Sequence, residues 1–291
     1  MADKPELSII ILSFNTKKLL EDCLKSLEKL KDEVLFEVIV ADNGSIDSSF
    51  KMVKEKFSWV VLLGNKENLG FAKGNNAAGK LCQGKYILFL NSDTIVYKGV
   101  LKESVEFLEE RADVGAMTCK LVLADGKIDK DIRRRFPTPW VSFNRLVLGN
   151  GRLYWYEDIS ENKIHEVDAI QGAYFLSPKK ILDQVGWFSE DYFLDGEDID
   201  LCWKIRAAGY KIYYYPKVKM LHLKGVSKGK NETKKKVPLA LRLKFKTASV
   251  NSMEIFYKKW LWKRYPLALS LIVLFALKCL KAIRFIKTVF S

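Results

Sequence analysis

The sequence predicts an α/β protein built around a mostly parallel sheet with helices on both faces. Four segments are almost continuously apolar and of strand length, segments with helical periodicity separate them, and polar residues follow each one directly. Continuous apolar strands that alternate with helices are typical of parallel sheets buried on both faces. In such sheets the carboxyl ends of the strands meet at a crevice where ligands bind.

The predicted elements alternate along the first ninety residues. Apolar segments lie at 7–14, 36–41, 59–63 and 86–90. A helix is predicted between the first two because apolar residues recur at near-helical intervals, at positions 19, 23, 24, 27 and 30. A second predicted helix spans 50–57, and a third follows Gly70 and Phe71. The order is therefore βαβαβαβ, which indicates a parallel sheet with crossover helices.

Polar side chains follow each of these strands where it ends. Because the ends of parallel strands share one edge of the sheet, we expect these side chains to lie close together. Taken singly, each is an ordinary turn or helix-cap residue, so it is the shared edge that predicts a binding site. The residues are Ser13 and Asn15 after the first strand, Asp42 to Ser45 after the second, Asn65 to Asn68 after the third, and Asn91, Ser92 and Asp93 after the fourth.

Two common nucleotide-binding motifs are incomplete or absent. Residues 74–81, GNNAAGKL, nearly match the phosphate loop G-x-x-x-x-G-K-[ST], but Leu81 has no hydroxyl and the segment lies within a predicted helix. No G-x-G-x-x-G follows the first strand, where a dinucleotide-binding fold needs it. The sequence therefore disfavours a P-loop enzyme and a nicotinamide-dependent one.

The formal net charge of +14 is confined to the end of the chain. Residues 228–291 contain 16 Lys or Arg and two acidic residues, whereas residues 1–227 contain 33 basic and 33 acidic residues. A nucleic-acid-binding domain usually carries its basic patch on the folded body. We therefore predict no nucleic-acid partner.

Five cysteines are scattered along the chain without a C-x-x-C pair. Their odd number, with no secretory signal recognisable in the sequence, argues against a disulfide framework. A reducing, cytosolic compartment is the expectation.

Seven segments resemble, in the same order, the motifs of one enzyme family. The sequence is similar to the inverting nucleotide-sugar glycosyltransferases of family 2, and most of all to a subgroup that makes bacterial polysaccharides and includes rhamnosyltransferases. The resemblance implies a catalytic domain over residues 1–227 with the GT-A fold, a Rossmann-like sheet flanked by helices. The segments are SIIILSFNTKKLLEDCLKSL (8–27), VIVADNGSIDSS (38–49), NLGFAKGNNAA (68–78), LFLNSDT (88–94), GAYFLSPKK (172–180), FLDGEDIDLCWKIRAAGY (193–210) and HLKGVS (222–227).

The resemblance implies that Asn91, Ser92 and Asp93 occupy the family's D-x-D motif. Asp93 would then bind a divalent cation that bridges the diphosphate of the sugar donor, and His222 matches a family position that also reaches the metal. Asn91 replaces the first acid of the motif, so one contact to the ribose or the cation departs from the family pattern. A carboxylate, an imidazole and phosphate oxygens suit Mg²⁺ or Mn²⁺.

The same resemblance implies a nucleotide pocket at the ends of the first two strands. Asp42, with Ser13 and Asn15, would hydrogen-bond the nucleobase and the ribose. Gly70 would let the backbone approach the nucleotide closely, because glycine has no Cβ. The residues implied for the opposite wall are Asn68, Gly70, Phe71 and Asn75.

The segment DGEDIDLCWKIRAAG predicts a helix that begins at Glu197 and ends before Gly209. The helix macrodipole favours ionised carboxylates there and would keep the pKa values of Glu197 and Asp198 low. From this pattern alone the two acids are capping residues. The resemblance implies instead that Asp198 is the catalytic base and Glu197 its supporting neighbour. Asp198 would take the proton of an acceptor hydroxyl as it attacks the anomeric carbon in one inverting displacement.

Asp200 and a run of three arginines are two further polar features of the sequence. Asp200 lies two residues beyond Asp198, so on a helix it should face away from the predicted base. The run from Arg133 to Arg135 fits a solvated surface and an acceptor-side phosphate contact equally well.

Residues 228–291 are predicted to form a basic linker followed by a helical tail. Residues 265–277 are uncharged but too short as a helix to cross the hydrocarbon core of a bilayer, which is about 30 Å thick. Farther on, basic residues recur every three positions and an apolar face is predicted opposite them, a pattern typical of a helix lying on anionic lipid. We therefore predict an anionic membrane surface as partner of residues 237–291. Alternatives are a helix pair packed on the enzyme or on a dimer partner, and a spanning segment. The basic residues are Lys278, Lys281, Arg284 and Lys287, and the apolar ones Cys279, Ile283, Ile286 and Phe290.

Together these features predict a peripheral enzyme on the cytoplasmic side of the cell membrane. It would move a sugar from a UDP- or dTDP-sugar to a saccharide or lipid-linked saccharide acceptor during polysaccharide synthesis, and a homodimer is left open. Two other functions compete with this one. A nucleotidyltransferase on a similar sheet would release pyrophosphate, but it leaves Glu197, Asp198 and His222 without a task. A non-catalytic membrane-bound adaptor that retains the fold is favoured only by Asn91.

Overall fold

The structure is a computed structural model that describes residues 4–224 and 239–289. Strands and helices alternate up to the fourth strand, as the apolar pattern predicts. The strands are β1 Leu7–Ser13, β2 Phe36–Asp42, β3 Val61–Gly64, β4 Tyr86–Asn91, β5 Thr94–Ile95, β6 Val114–Leu123, β7 Arg133–Arg134, β8 His165–Glu166, β9 Ala169–Ile170, β10 Tyr174–Pro178 and β11 Lys211–His222. The helices are α1 Lys17–Glu28, α2 Ser49–Lys56, α3 Phe71–Gly79, α4 Val100–Glu109, α5 Pro139–Leu146, α6 Lys179–Val185, α7 Glu197–Ala207, α8 Leu239–Phe256 and α9 Leu267–Val289.

The main sheet has the order β3-β2-β1-β4-β10-β6-β11-β5, with β8 paired to β11. Strands β1 to β4 are parallel, and β6 and β11 run parallel to each other. Strand β10 runs antiparallel between β4 and β6. Most strands therefore point the same way and helices flank them, which confirms the predicted α/β class. A small second sheet pairs β7 with β9.

The core explains why the sequence forms these strands. Successive residues of β1, β2 and β4 are buried on both faces, so each strand reads as a continuous apolar run. Most predicted strand boundaries agree with the structure to within one residue, but the third strand begins at Val61 and not at residue 59. Trp59 lies in the preceding turn, where its ring packs edge-on against Phe36 and Phe57. An apolar pattern cannot distinguish such an aromatic contact from a strand position.

Helices α8 and α9, within residues 239–289, form a helical hairpin that packs on the rest of the protein and is called the C-terminal hairpin below. Arg284 of α9 donates to the carbonyl of Lys246 in α8, and Tyr257, just beyond α8, hydrogen-bonds Ser270 near the start of α9. The first contact joins the end of α9 to the first half of α8, and the second joins the end of α8 to the start of α9, so the two helices run antiparallel. No helix among residues 4–224 and 239–289 is both long and apolar enough to cross a membrane. The predicted linker and the domain boundary at 227/228 lie outside the described residues.

Candidate active site

The carboxyl ends of β1 and β4 are joined by a chain of buried hydroxyl groups. Ser13 hydrogen-bonds Thr16 at 2.9 Å, and Thr16 hydrogen-bonds Ser92 at 3.0 Å. Ser13 is fully buried, so its hydroxyl belongs to this chain of hydrogen bonds. Asn15 follows β1 two residues after Ser13, and its Oδ1 accepts from the backbone N–H of Ile46 at 2.8 Å. The sequence-predicted residues Ser13, Asn15 and Ser92 therefore meet at one edge of the sheet.

Asp42 lies at the same edge, at the end of β2. Its Oδ1 accepts from the backbone N–H of Ser45 at 2.9 Å. Its Oδ2 is buried and has no hydrogen-bond partner within the described residues. A buried acceptor without a partner costs free energy, so this oxygen is suited to meet a donor group of a ligand.

Asn43 holds the loop that precedes α3. Its Nδ2 donates to Oδ1 of Asn68 at 3.2 Å and to the carbonyl of Gly70 at 3.1 Å. Its Oδ1 accepts from Nδ2 of Asn65 at 3.0 Å. A buried asparagine thus fixes the predicted far wall of the pocket, and farther along that wall Asn75 donates to the carbonyl of Phe71 at 2.9 Å.

Gly70 has a positive φ of 84° and makes a close approach, although to protein and not to an empty pocket. A Cβ at this position would lie 2.5 Å from the carbonyl oxygen of Phe193. The N–H of Phe71 donates to that same carbonyl at 2.9 Å. The structural need for glycine is therefore the approach of the segment before α7, which brings the two sides of the crevice together.

Asp93 and His222 face each other across the end of the sheet. Oδ1 of Asp93 lies 3.3 Å from Nε2 of His222, and both side chains are at most 3% exposed. The other ring nitrogen of His222, Nδ1, lies 2.8 Å from Oδ2 of Asp129. A carboxylate on the far nitrogen fixes the orientation of the ring, as it does for histidines that bind metals.

The charges around His222 determine its protonation. Burial by itself lowers the pKa of His222, but the hydrogen bonds to Asp129 and Asp93 outweigh burial and raise it to about 9. Lys224 forms a second pair with Asp129, at 2.6 Å, and a third with Asp131, also at 2.6 Å. The site therefore balances three carboxylates against two cations.

Asp93 offers an oxygen ligand, and Nε2 of His222 would offer a nitrogen ligand beside it once a bound cation has displaced its proton. Asp129 contacts the opposite side of the ring and is not a third ligand. Within the described ranges no group of three or more His, Cys, Asp or Glu side chains is arranged to hold a metal ion. A divalent cation here would need further oxygen ligands, and diphosphate oxygens are suited to supply them.

Asp198 lies in the first turn of α7 and forms a buried ion pair. Its Oδ2 accepts from Nη2 of Arg134 at 2.7 Å, and both side chains are less than 10% exposed. The same oxygen is 3.4 Å from the backbone N–H of Gly172, and Oδ1 accepts from the N–H of Ile199 at 2.7 Å. Arg134 is thus neither a solvated surface residue nor a contact free for an acceptor phosphate.

Glu197 departs from the expectation for its place on the helix. The prediction that the macrodipole keeps its pKa low is wrong. Burial and the neighbouring charge of Asp198 raise the pKa of Glu197 well above its ordinary value. Its Oε2 is buried without a hydrogen-bond partner in the described part of the chain. The desolvation of a carboxylate in the interior exceeds the stabilisation of roughly 1 kcal/mol that a helix terminus provides.

A short path of contacts connects Asp198 with the end of β4. Gly172 contacts Asp198, and the next residue, Ala173, accepts from the backbone N–H of Asn91 at 3.2 Å. Strand β10 then pairs with β4 from Tyr174 onward. The structure therefore places Asp198 at the same edge of the sheet as Asp93, His222 and Asp42.

Four charged residues of this site were not assigned to it from the sequence: three lie in the segments that follow β6 and β11, and one lies in β7, within the arginine run whose role was left open. Burial by itself raises the pKa of Asp131, but the charges of Arg134 and Lys224 outweigh it and lower the pKa well below the ordinary value. The only signal in the sequence is the alternation of acids and bases in GKIDKDIRRR (126–135). The four residues are Asp129, Asp131, Arg134 and Lys224.

The model of one protein family, described as glycosyl transferase family 2, matches residues 8–168, more than half of the chain. The chain belongs to glycosyl transferase family 2. The matched range contains the residues at the ends of β1, β2 and β4, from Ser13 to Asp93, as well as Asp129 and Arg134.

This family 2 chain is also similar to curated bacterial proteins. It is 27% identical over 278 residues to the uncharacterized protein y4gI of Sinorhizobium fredii, which covers 92% of this chain and 29% of that protein. It is 24% identical over 219 residues to the poly-beta-1,6-N-acetyl-D-glucosamine synthase of Staphylococcus aureus, which covers 72% of this chain and 48% of the synthase. The chain therefore spans less than half the length of either relative.

Solved structures with the same fold support the GT-A architecture of this family 2 chain. The mannosyltransferase PcManGT of Pyrobaculum calidifontis, in complex with GDP-Man and Mn²⁺, superposes with a TM-score of 0.57 at 19% identity, covering 89% of this chain and 66% of that one. Residues 1–349 of TarS of S. aureus, in complex with UDP, superpose with a TM-score of 0.55 at 18% identity, covering 86% and 80%. At these identities the likeness shows the fold alone.

Proposed function

We propose that this family 2 glycosyltransferase transfers a sugar from a nucleotide diphosphate donor to a saccharide acceptor by a single inverting displacement. One observation carries the proposal: the Asp93–His222 pair and the Asp198 carboxylate lie at the same edge of the sheet, linked through Gly172 and Ala173. A transferase needs a diphosphate site beside a base, and this edge offers candidates for both.

In this proposal the donor lies along the ends of β1, β2 and β4. Asp42 presents its unpartnered Oδ2 to the nucleoside. Asp93 and His222 would hold a divalent cation, Mg²⁺ or Mn²⁺, which supplies Lewis-acid stabilisation of the leaving diphosphate. One solved neighbour is a complex with GDP-Man and Mn²⁺ and another a complex with UDP, so both uridine and guanosine donors belong in the test beside the predicted dTDP-sugars.

Asp198 accepts the proton of the attacking hydroxyl in this proposal. Arg134 and the N–H of Gly172 hold Oδ2, and the N–H of Ile199 holds Oδ1, so the carboxylate has a fixed orientation. The raised pKa of Glu197 favours its neutral form, which would place no second negative charge beside the base. Both carboxyl groups are nearly buried, which excludes water that would compete with the acceptor.

The test is a measurement of nucleoside diphosphate release from a panel of UDP-, dTDP- and GDP-sugars, with Mn²⁺ and with a chelator, in the presence of saccharide acceptors. We expect release from one donor class, and loss of it in Asp93→Asn. Release of pyrophosphate from nucleoside triphosphates would instead show a nucleotidyltransferase. Nucleotide-sugar binding without turnover of any donor would favour the non-catalytic adaptor.

We propose that the acceptor is lipid-linked and that the C-terminal hairpin rests on an anionic cytoplasmic membrane surface, which makes the enzyme peripheral. The outer face of α9 is apolar and exposed: Ile272 is 64% and Phe275 70% exposed. Lys278 and Lys281 flank it, while Arg284 faces α8. The predicted apolar face is supported by the exposure of Ile283, Ile286 and Cys279, whereas Phe290 lies outside the described residues.

A second exposed apolar surface supports the same partner. Trp140 and Phe143 of α5 stack at 6.1 Å and are 64% and 43% exposed. Residues 137–156 contain Arg145 and Arg152 and no acid, a composition suited to the interface of an anionic bilayer. Helix α5 begins five residues after Arg134, so this surface is close in the chain to the partner of the proposed base.

Sedimentation with anionic and with neutral vesicles tests the membrane proposal. The double substitution of Ile272 and Phe275 by Ser should lower binding to anionic vesicles at least tenfold. Leu35→Ser is the matched control, because Leu35 is also about half exposed but precedes β2 at the opposite edge of the sheet. Unchanged binding would reject this surface, and loss of a dimer in solution on the same substitution would assign the face to a second copy of the chain.

A further inference from the structure

The C-terminal hairpin contacts α7, the helix that carries Asp198, at the buried carboxylate of Asp200. Asp200 is in the first turn of α7 and is fully buried. As the helix geometry predicts, it does not share the partners of Asp198. Its partners include Lys259, whose Nζ is 3.0 Å from Oδ1, and Trp260, whose Nε1 donates to Oδ1 at 2.6 Å.

The backbone around Lys259 and Trp260 has an unusual form. Residues Tyr257–Leu261 form a π-helical segment directly after α8. Such segments are rare and are found frequently at functional sites, because the wider turn redirects side chains. Here the segment carries both side chains of the tail that reach Asp200. The indole of Trp260 also packs against Trp203 of α7, with ring centroids 5.9 Å apart.

The same hairpin holds the segment just before α7. The hydroxyl of Ser252 in α8 donates to the carbonyl of Leu194 at 3.2 Å. Gly196 has a φ of 93°, which favours glycine, and a Cβ there would lie 3.0 Å from Cβ of Ser252, a tight contact. The ring of Phe193 packs on Phe245 at 5.7 Å. The left-handed turn that starts α7 is thus held against α8.

This segment also contacts the donor side of the crevice. The carbonyl of Phe193 accepts from the N–H of Phe71 and leaves no space for a side chain at Gly70. The segment 189–196 therefore lies between the proposed donor pocket and the hairpin, and it leads directly into Glu197 and Asp198. A displacement of the hairpin would therefore remove contacts that hold the segment leading into the first turn of α7.

We propose that Lys259 and Trp260 are positioning residues: by holding Asp200 they fix the first turn of α7, and with it the proposed base, so that the hairpin belongs to the catalytic unit and does not serve only as a membrane contact. This inference rests on the proposed function for the role of Asp198. The positioning itself depends only on the described contacts.

The test uses the full-length chain and two matched substitutions. Lys259→Met removes the ammonium group, and Trp260→Phe removes the indole N–H while keeping an aromatic ring on Trp203. Lys258→Met is the control, since Lys258 is exposed and pairs with Glu254 within the tail. Hydrogen–deuterium exchange of peptides covering 189–200 reports on the first turn of α7 without any need for turnover.

We expect amide exchange in 189–200 to rise at least tenfold in Lys259→Met and Trp260→Phe and to stay unchanged in Lys258→Met. With an active donor identified, kcat should fall about 10- to 100-fold in the first two while the donor KM and vesicle binding change less than twofold. Lys259→Arg, which keeps the positive charge, should recover most of kcat. Unchanged exchange overturns the positioning role even if no donor is turned over, and raised exchange with normal kcat overturns its catalytic importance. Absence of turnover in the unmodified chain would count against the proposed function alone.

Discussion

The donor side and the base side of the crevice are each held in place by a different kind of interaction. On the donor side, Asn43 fixes the loop before α3 through neutral amide and backbone hydrogen bonds. On the base side, buried charges pair across the fold, as in Arg134 with Asp198 and His222 with Asp129. A neutral hydrogen bond contributes about 1 kcal/mol, whereas a buried charge that loses its partner costs about 3–5 kcal/mol. The base side should therefore be the more sensitive to substitution.

The largest effect is expected from Asp198→Asn. Removing a general base typically lowers the rate about 10²- to 10⁴-fold. Nucleoside diphosphate release should fall by that factor while donor affinity, measured by calorimetry, stays within a fewfold. Asp183→Asn is the control, because Asp183 pairs with Lys179 on α6. Activity within twofold of the unmodified chain would exclude Asp198 as the base.

Arg134→Met should lower the free energy of unfolding by about 3–5 kcal/mol, because it leaves the carboxylate of Asp198 buried without its cation. Arg135→Met should cost only about 1 kcal/mol or less, since the partner of Arg135, Asp158, is 53% exposed. Denaturant unfolding measures both. In the double variant Arg134→Met with Asp198→Asn, the loss should be smaller than the sum of the single losses, and additivity would show that the pair is not coupled.

Asn43→Ala tests the neutral hydrogen bonds that hold the donor side of the crevice. We expect a loss of about 1–3 kcal/mol in stability, from the buried groups of the 65–70 loop that lose their partners. The donor KM should rise with little change in kcat, because this loop forms the proposed pocket wall. Asn162→Ala, at an exposed position, is the control. A fall in kcat with an unchanged KM would contradict the assignment of this loop to the donor.

The most specific effect is the pH dependence of stability that Glu197 introduces. Its pKa is raised in the folded protein, so as pH rises above about 4.5 the unfolded chain loses this proton while the folded protein retains it. Glu197 therefore reduces stability progressively with rising pH, by about 1.4 kcal/mol for each pKa unit of difference. Glu197→Gln should raise the unfolding midpoint at pH 8 and leave it nearly unchanged at pH 4. An equal effect at both pH values would reject the raised pKa.

Local sequence features predicted one side of the site much better than the other. The first four strands are continuous apolar runs, and the polar residue that ends each run has to lie at the shared edge; this locates Asp42, Asn91 and Asp93 without coordinates. The macrodipole argument for Glu197 failed because it considers one helix, whereas the pKa of this carboxyl depends on burial by elements far away in the chain. Nothing in the run of three arginines showed that Arg134 is the one that pairs with Asp198.

The sequence by itself determined the α/β class, the first four strands and the candidate residues at their ends, because apolar periodicity and strand termination are local properties. Only the tertiary structure decided that Arg134 pairs with Asp198, that Asp129 orients His222, and that the C-terminal hairpin binds Asp200 from 59 residues away. The physical reason is that the energy of a buried charge depends on which opposite charge the fold brings within about 3 Å, and chain separation contains no information about that distance.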